Sequence, residues 1–149
     1  LPAYVNVIAE PGRFISGPSM RCIATIIGKS LRNGCNWYYI DDGVYGSYSG
    51  QIYDHMRYPL EVFSDAPHRC PSVIAGPTCD SIDLIVEDVK LPHLNIGDLV
   101  VGHMMGAYTC ASATDFNLIK KAKTIVINTD VGDSLRRTVS PAALLDVYP

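Results

Sequence analysis

No run of apolar residues in this chain approaches the ~20 that a membrane span needs, and no basic start followed by an apolar stretch and a small-residue cleavage site marks a secretory signal. Positive charge is thin as well: 12 Lys and Arg stand against 15 Asp and Glu, and no basic cluster is longer than a pair. A net charge of −3 without a basic stripe excludes the electrostatic footprint of a nucleic-acid binder and directs long-range attraction toward cations. A soluble protein without nucleic-acid or membrane partners is expected.

Ligand spacing is missing too. The five cysteines, Cys22, Cys35, Cys70, Cys79 and Cys110, are odd in number and form no C-x-x-C pair. They stand among apolar residues as small core residues do, which fits a reducing cytoplasm better than a disulfide framework. The four histidines, His55, His68, His93 and His103, lack zinc spacing, the nearest approach being "HRC" at His68 to Cys70, and no metal site is expected. "IIGKS" (Ile26 to Ser30) shares the ending of a phosphate-cradling P-loop, but the glycine required five positions before Gly28 is Ile23.

What is present is enough apolar material, 48% of 149 residues, to bury one substantial core, as one domain or a piece of a larger one. "YVNVIAE" (Tyr4 to Glu10) has the apolar and β-branched density of a buried strand, stopped by "PGR". In "GPSMRCIATIIGKSLRNG", Met20, Ile23, Ala24, Ile27 and Leu31 recur at helical spacing, with Pro18 in the first turn and Gly34 as the stop. A strand followed by a helix is one unit of an α/β domain, and one unit closes no parallel sheet, so further units are expected upstream.

After Gly34 come short aromatic or β-branched runs: "NWYYID", "GVYGSYS", "PLEVF", "SVIAG", "LIVEDV", "DLVVG" and "KTIVIN". Their spacing predicts an antiparallel sandwich or barrel, with Asp42-Gly43 as the tightest turn. The predicted chain is therefore mainly β: residues 1–33 end a preceding barrel with its final strand and helix, residues 34–130 form the β domain, and residues 131–149 are a tail. Gly106 to Asn117 is expected to hold a short helix, and Ser140-Pro141 to start a terminal one.

Several residues combine in ways that suit chemistry. Glu10-Pro-Gly-Arg13 reads equally as a surface ion pair at a strand end or as an anion site, in which Gly12 permits close backbone approach and Arg13 offers a charged fork. Tyr53, Asp54 and Tyr108 read alone as half-buried aromatics and a turn residue. Cys79 in "AGPTCDSID" lies beside Asp80 and near Asp83. Most cysteines after an apolar strand are inert, but carboxylates beside a thiol favour its protonated form, which suits proton donation better than nucleophilic attack.

"VIAEPGRFISGPS", "DDGVYGSYSGQIYDH", "GPTCDSID", "LPHLNIGD" and "MGAYT" occur in an order that resembles the pyridoxal-phosphate-dependent decarboxylases of basic amino acids built on an alanine-racemase-like barrel, the ornithine decarboxylases nearest among them. The resemblance spans about two-thirds of the chain, Val7 to Thr109, and covers only the later part of a family member.

The resemblance implies a function and a set of roles. Glu10 would pair with the protonated pyridine nitrogen of pyridoxal 5'-phosphate, and Gly12, Arg13 and Tyr108 would hold its phosphate. Asp54, with Tyr53, and Asp80 would flank the distal ammonium of ornithine, while Cys79 would protonate the carbon left when carbon dioxide departs, yielding putrescine for polyamine synthesis. Cys79 and Asp80 would serve the active site of a partner subunit in a homodimer, and Asp83 would pair with a lysine across that interface.

The same resemblance places the Schiff-base lysine and the ring-stacking histidine upstream, in the barrel, where nothing in this chain replaces them; the chain alone is expected to be inactive. It also departs from the pattern at Leu118, where Phe-Asn is usually followed by glycine. Diaminopimelate decarboxylase carries glutamate after the cysteine, so Asp80 favours a substrate ending in a bare ammonium: ornithine first, then lysine or arginine. A non-catalytic homologue that binds a regulator of polyamine synthesis would be free to lose the cofactor and proton-donor residues retained here, and a β-sandwich binding module would not carry the ordered motifs.

Overall fold

The computed structural model describes residue 2 and residues 4–64, 66–67 and 69–127. The tail, the terminal helix expected at Ser140-Pro141, and His68 lie outside the described residues.

Among the described residues six strands form one sheet: β1 (Cys22–Arg32), β2 (Cys35–Ile40), β3 (Leu60–Val62), β4 (Arg69–Ala75), β5 (Leu84–Pro92) and β6 (Leu99–Gly102), in the order β3-β6-β1-β2-β4-β5. The fold is mostly β and barrel-like, as expected. The helices are single turns, α1 (Arg13–Ser16) and α2 (Gly50–Asp54), with 3₁₀ turns at Gly17–Ser19 and Phe116–Leu118.

The expected helix between Pro18 and Leu31 is a correction: this stretch is β1, at the centre of the sheet between β6 and β2. Its side chains alternate, with Cys22, Ala24 and Ile26 buried and Ile23, Ile27 and Leu31 exposed. Branching at Ile23, Thr25, Ile26 and Ile27 suits a pleated surface. Asn33 and Gly34, both at positive φ (51° and 78°), make the two-residue connection that pairs Arg32 with Cys35. The sheet thus starts at Cys22, upstream of the boundary expected at Gly34.

Three other stretches expected as strands are not strands among the described residues. Tyr4 to Glu10 is exposed and outside the sheet, since no strand lies beside it among the described residues. "GVYGSYS" is a run of turns, because Asp42 Oδ1 accepts the amides of Gly43 (2.7 Å) and Ser47 (2.9 Å) and folds the chain back; the Asp42-Gly43 pair joins no hairpin. "KTIVIN" is exposed and irregular as far as Ile127. The short helix expected within Gly106 to Asn117 is a 3₁₀ turn that begins only at Phe116.

The core comprises Ile26, Tyr38, Ile40, Tyr48, Leu60, Ile74, Leu91 and Val100, each no more than 1% exposed. Tyr48 and Tyr58 pack edge to face at 5.5 Å. All pairings are antiparallel except β2 with β4, which are parallel. Parallel neighbours end side by side, so the segment after Ile40 and the loop after Ala75 emerge at the same edge. That placement builds one of the candidate sites.

Candidate functional site

Two clusters gather most of the candidate residues. The first forms where α1, α2 and the segment after β6 meet. Gly12 precedes α1, and a Cβ placed there would lie 3.6 Å from the Tyr108 hydroxyl, so a side chain would occupy the space between backbone and phenol. The Arg13 guanidinium lies 5.4 Å from the centre of the Tyr108 ring, and its Nη1 donates to the carbonyl of Ala107 at 3.3 Å. Its Nη2 pairs with Asp54 Oδ2 at 2.5 Å. Tyr108 is held at φ 58°, which turns the chain sharply there.

Gly12, Arg13, Tyr108 and Asp54 are therefore brought together. Asp54, placed by the resemblance at the distal ammonium, forms an ion pair with Arg13 instead of standing free. Tyr53 is 61% exposed and lies outside these contacts, and Glu10 is exposed with no polar partner among the described residues.

The second cluster stands on the loop between β4 and β5, with Cys79 exposed at its tip and Asp80 half-exposed beside it. Asp80 Oδ2 accepts the phenol of Tyr45 at 2.5 Å and Oδ1 accepts the amide of Ile82 at 3.1 Å. These hydrogen bonds, the phenol's first, hold the Asp80 carboxyl below its usual range; the same bond to Asp80 pushes the Tyr45 phenol up to about 12. Cys79 Sγ accepts the side-chain amide of Asn117 at 3.4 Å. The Tyr45 and Phe116 rings stack with centres 4.2 Å apart.

Asp83 lies beneath this tip, 2% exposed. Its carboxylate accepts the amides of Val44 (2.9 Å) and Thr78 (3.0 Å) and the Thr78 hydroxyl (2.7 Å). Gly43 and Gly76 press against it so closely that a Cβ on either would collide with it. Within the chain, Asp83 thus forms a clamp joining the Asp42–Ser49 turns to the Cys79 loop. A small surface cleft beside it is lined by Tyr45, Pro77, Thr78, Phe116, Lys120 and Lys121, among others.

Sequence reasoning missed Tyr45, Thr78 and Asn117. Thr78 is the nearest of them in sequence, five residues before Asp83 in the same loop. Tyr45 and Asn117 come from distant segments and carried no local signal.

Residues 18–106 match the family model for the pyridoxal-dependent decarboxylase C-terminal sheet domain. A lysine/ornithine decarboxylase of Selenomonas ruminantium is 42% identical over 120 residues, covering 80% of this chain and 30% of that protein. A chloroplastic ornithine decarboxylase of Nicotiana glutinosa is 39% identical over 123 residues, covering 76% of this chain and 28% of its own. Among solved structures, the lysine/ornithine decarboxylase of Vibrio vulnificus complexed with cadaverine superposes with a TM-score of 0.79 at 53% identity, covering 87% of this chain and 35% of that one. The chain thus spans less than a third of the length of these two curated relatives.

Proposed function

We propose, from the premise that this chain belongs to the pyridoxal-dependent decarboxylase family and carries its C-terminal sheet domain, that the whole enzyme removes the α-carboxylate of ornithine to give putrescine and carbon dioxide. Lysine is the next substrate in line, since a carboxylate that reads a terminal ammonium discriminates weakly against one further methylene. The active form is a homodimer in the cytoplasm, in which Cys79 and Asp80 of one subunit complete the site of the other.

The residues present fit the cofactor. Arg13 supplies a cationic fork, Tyr108 a hydroxyl, and the missing side chain at Gly12 leaves room beside them for an anion. They would hold the phosphate of pyridoxal phosphate, and Glu10 would hold the proton on its ring nitrogen. When bound, the cofactor supplies an electron-withdrawing ring that takes up the electron pair released as carbon dioxide leaves. This chain's other residues bind and protonate: Asp80 holds the distal ammonium, and the Cys79 thiol gives its proton to the substrate α-carbon.

The observation that carries the reading is the Cys79–Asp80 tip itself. An exposed thiol stands beside a carboxylate whose partners, a phenol and an amide, are neutral and leave its charge uncancelled. A proton donor and a cation reader are thereby presented together. In the complete enzyme, Cys79→Ala should still release carbon dioxide but form γ-aminobutyraldehyde and pyridoxamine phosphate beside putrescine, because a general acid over one carbon contributes about 10²–10⁴-fold. Putrescine alone at a normal rate would reject Cys79 as the donor. Asp80→Ala should raise KM for ornithine by roughly tenfold or more; an unchanged KM would remove Asp80 from the substrate site.

A further inference from the structure

Asn117 reaches Cys79 from 38 residues away and is accounted for by none of the roles above. It sits in the Phe116–Leu118 turn at φ 53°, in the left-handed region that asparagine tolerates better than most residues. Two contacts fix that turn to the tip. The Phe116 ring stacks on Tyr45, whose hydroxyl holds Asp80, and the Thr114 amide donates to the Tyr45 carbonyl at 2.8 Å. Tyr45, Phe116, Asn117, Cys79 and Asp80 therefore form a closed circuit: phenol to carboxylate, ring to ring, amide to sulfur, with the two peptide links between neighbours completing it.

We infer that Asn117 is a positioning residue that aims the Cys79 thiol. This rests on the reading that Cys79 is the proton donor and deepens it. An exposed cysteine has three staggered side-chain positions open to it. The Asn117 amide favours the one in which sulfur faces the turn, and by donating to a sulfur lone pair it leaves the S–H hydrogen free to point elsewhere. A general acid acts only on the atom within its reach, so the same thiol in another rotamer delivers its proton late or not at all.

The consequence is read in where the proton goes. When delivery to the substrate α-carbon fails, the competing outcome would be γ-aminobutyraldehyde and pyridoxamine phosphate, which needs only a solvent proton and water and no outside oxidant. In the complete, cofactor-loaded dimer, Asn117→Gly keeps a left-handed turn but has no amide, and Asn117→Asp keeps size and turn tolerance but replaces the donor with an acceptor. With ornithine, both should raise the fraction of turnovers ending in γ-aminobutyraldehyde and pyridoxamine phosphate at least several-fold, in the direction of Cys79→Ala, with KM changed by less than about threefold.

That fraction is a ratio among completed turnovers, so a lower population of folded enzyme does not move it. A wild-type product ratio in both variants, even with lower kcat or melting temperature, would overturn the inference and leave Asn117 a purely structural residue. If Cys79→Ala itself gives only putrescine, the proton-donor reading has failed instead, and the two failures are told apart by that variant alone.

Discussion

The two clusters are held in opposite ways. Arg13, Asp54 and Tyr108 are held by one another: cation against anion at 2.5 Å, cation over ring at 5.4 Å, with Asp54 still 43% exposed. Cys79 and Asp80 are held by groups with no formal charge, a phenol, an amide and a backbone N–H, on a loop clamped from beneath by the buried Asp83. In the first, an incoming anion meets a cation that already has a partner to displace. In the second, an incoming cation meets a carboxylate whose charge nothing cancels. The braced cluster draws its holding groups from its own chain and leaves its charge free, whereas the self-paired one spends its charges on each other.

The contrast breaks most visibly at Asp83. Asp83→Ala strands two amides and a hydroxyl and should lower stability by about 3–5 kcal/mol in urea denaturation; a loss below 1 kcal/mol would place the bracing elsewhere.

Alkaline pH tests the turns that carry Tyr45. Burial first, then Asp42 beside it, pushes the Cys22 thiol from 9.0 up to about 12. The folded state thus keeps a proton that the unfolded chain surrenders, so this contribution is whole below pH 9 and is lost as pH climbs toward 12. The loss is roughly 1.4 kcal/mol per unit over that window, and burial pushes the Tyr48 phenol in the same direction. Denaturation between pH 8 and 11 should show this slope, and Cys22→Ala should flatten it; an equal slope in the variant would assign the effect to other groups.

By contrast, Asp54→Asn removes only a partly exposed ion pair and should change stability by less than about 1 kcal/mol. A loss above 2 kcal/mol would show that the first cluster is braced as firmly as the second.

The smallest effect is expected at Leu118. It stands at φ 56° and 89% exposed, in a left-handed position that glycine adopts without strain. Leu118→Gly should raise stability by about 0.5 kcal/mol, the relief of a left-handed leucine less the entropy of glycine. Destabilisation would mean that the exposed side chain has a partner.

The strands β2 to β6 were legible because their runs are short, branched and bounded by turn residues. β1 was not, because its apolar residues are dense enough to satisfy helical and alternating spacing at once. The deciding signal was Asn33-Gly34, a hairpin turn that also reads as a helix stop. Tyr4 to Glu10 has strand composition, but composition does not supply a neighbour to pair with. In the site, Gly12, Arg13 and Tyr108 could be named from motif order and do converge. The Arg13–Asp54 pair, the Asp83 clamp and the Asn117 contact join segments far apart in sequence, and local pattern carries no information about such meetings.

The parallel pairing of β2 with β4 also sets an order of assembly. The β1–β2 and β4–β5 hairpins close over short connections, but β2 meets β4 only after everything between Ile40 and Arg69 has been gathered in, and such non-local closure is slow. The loop bearing Cys79 therefore exists before the groups that hold it. During refolding, protection of the Val44 and Thr78 amides from hydrogen exchange should lag behind that of the β1–β2 hairpin, making the braced cluster the last part of the sheet to mature.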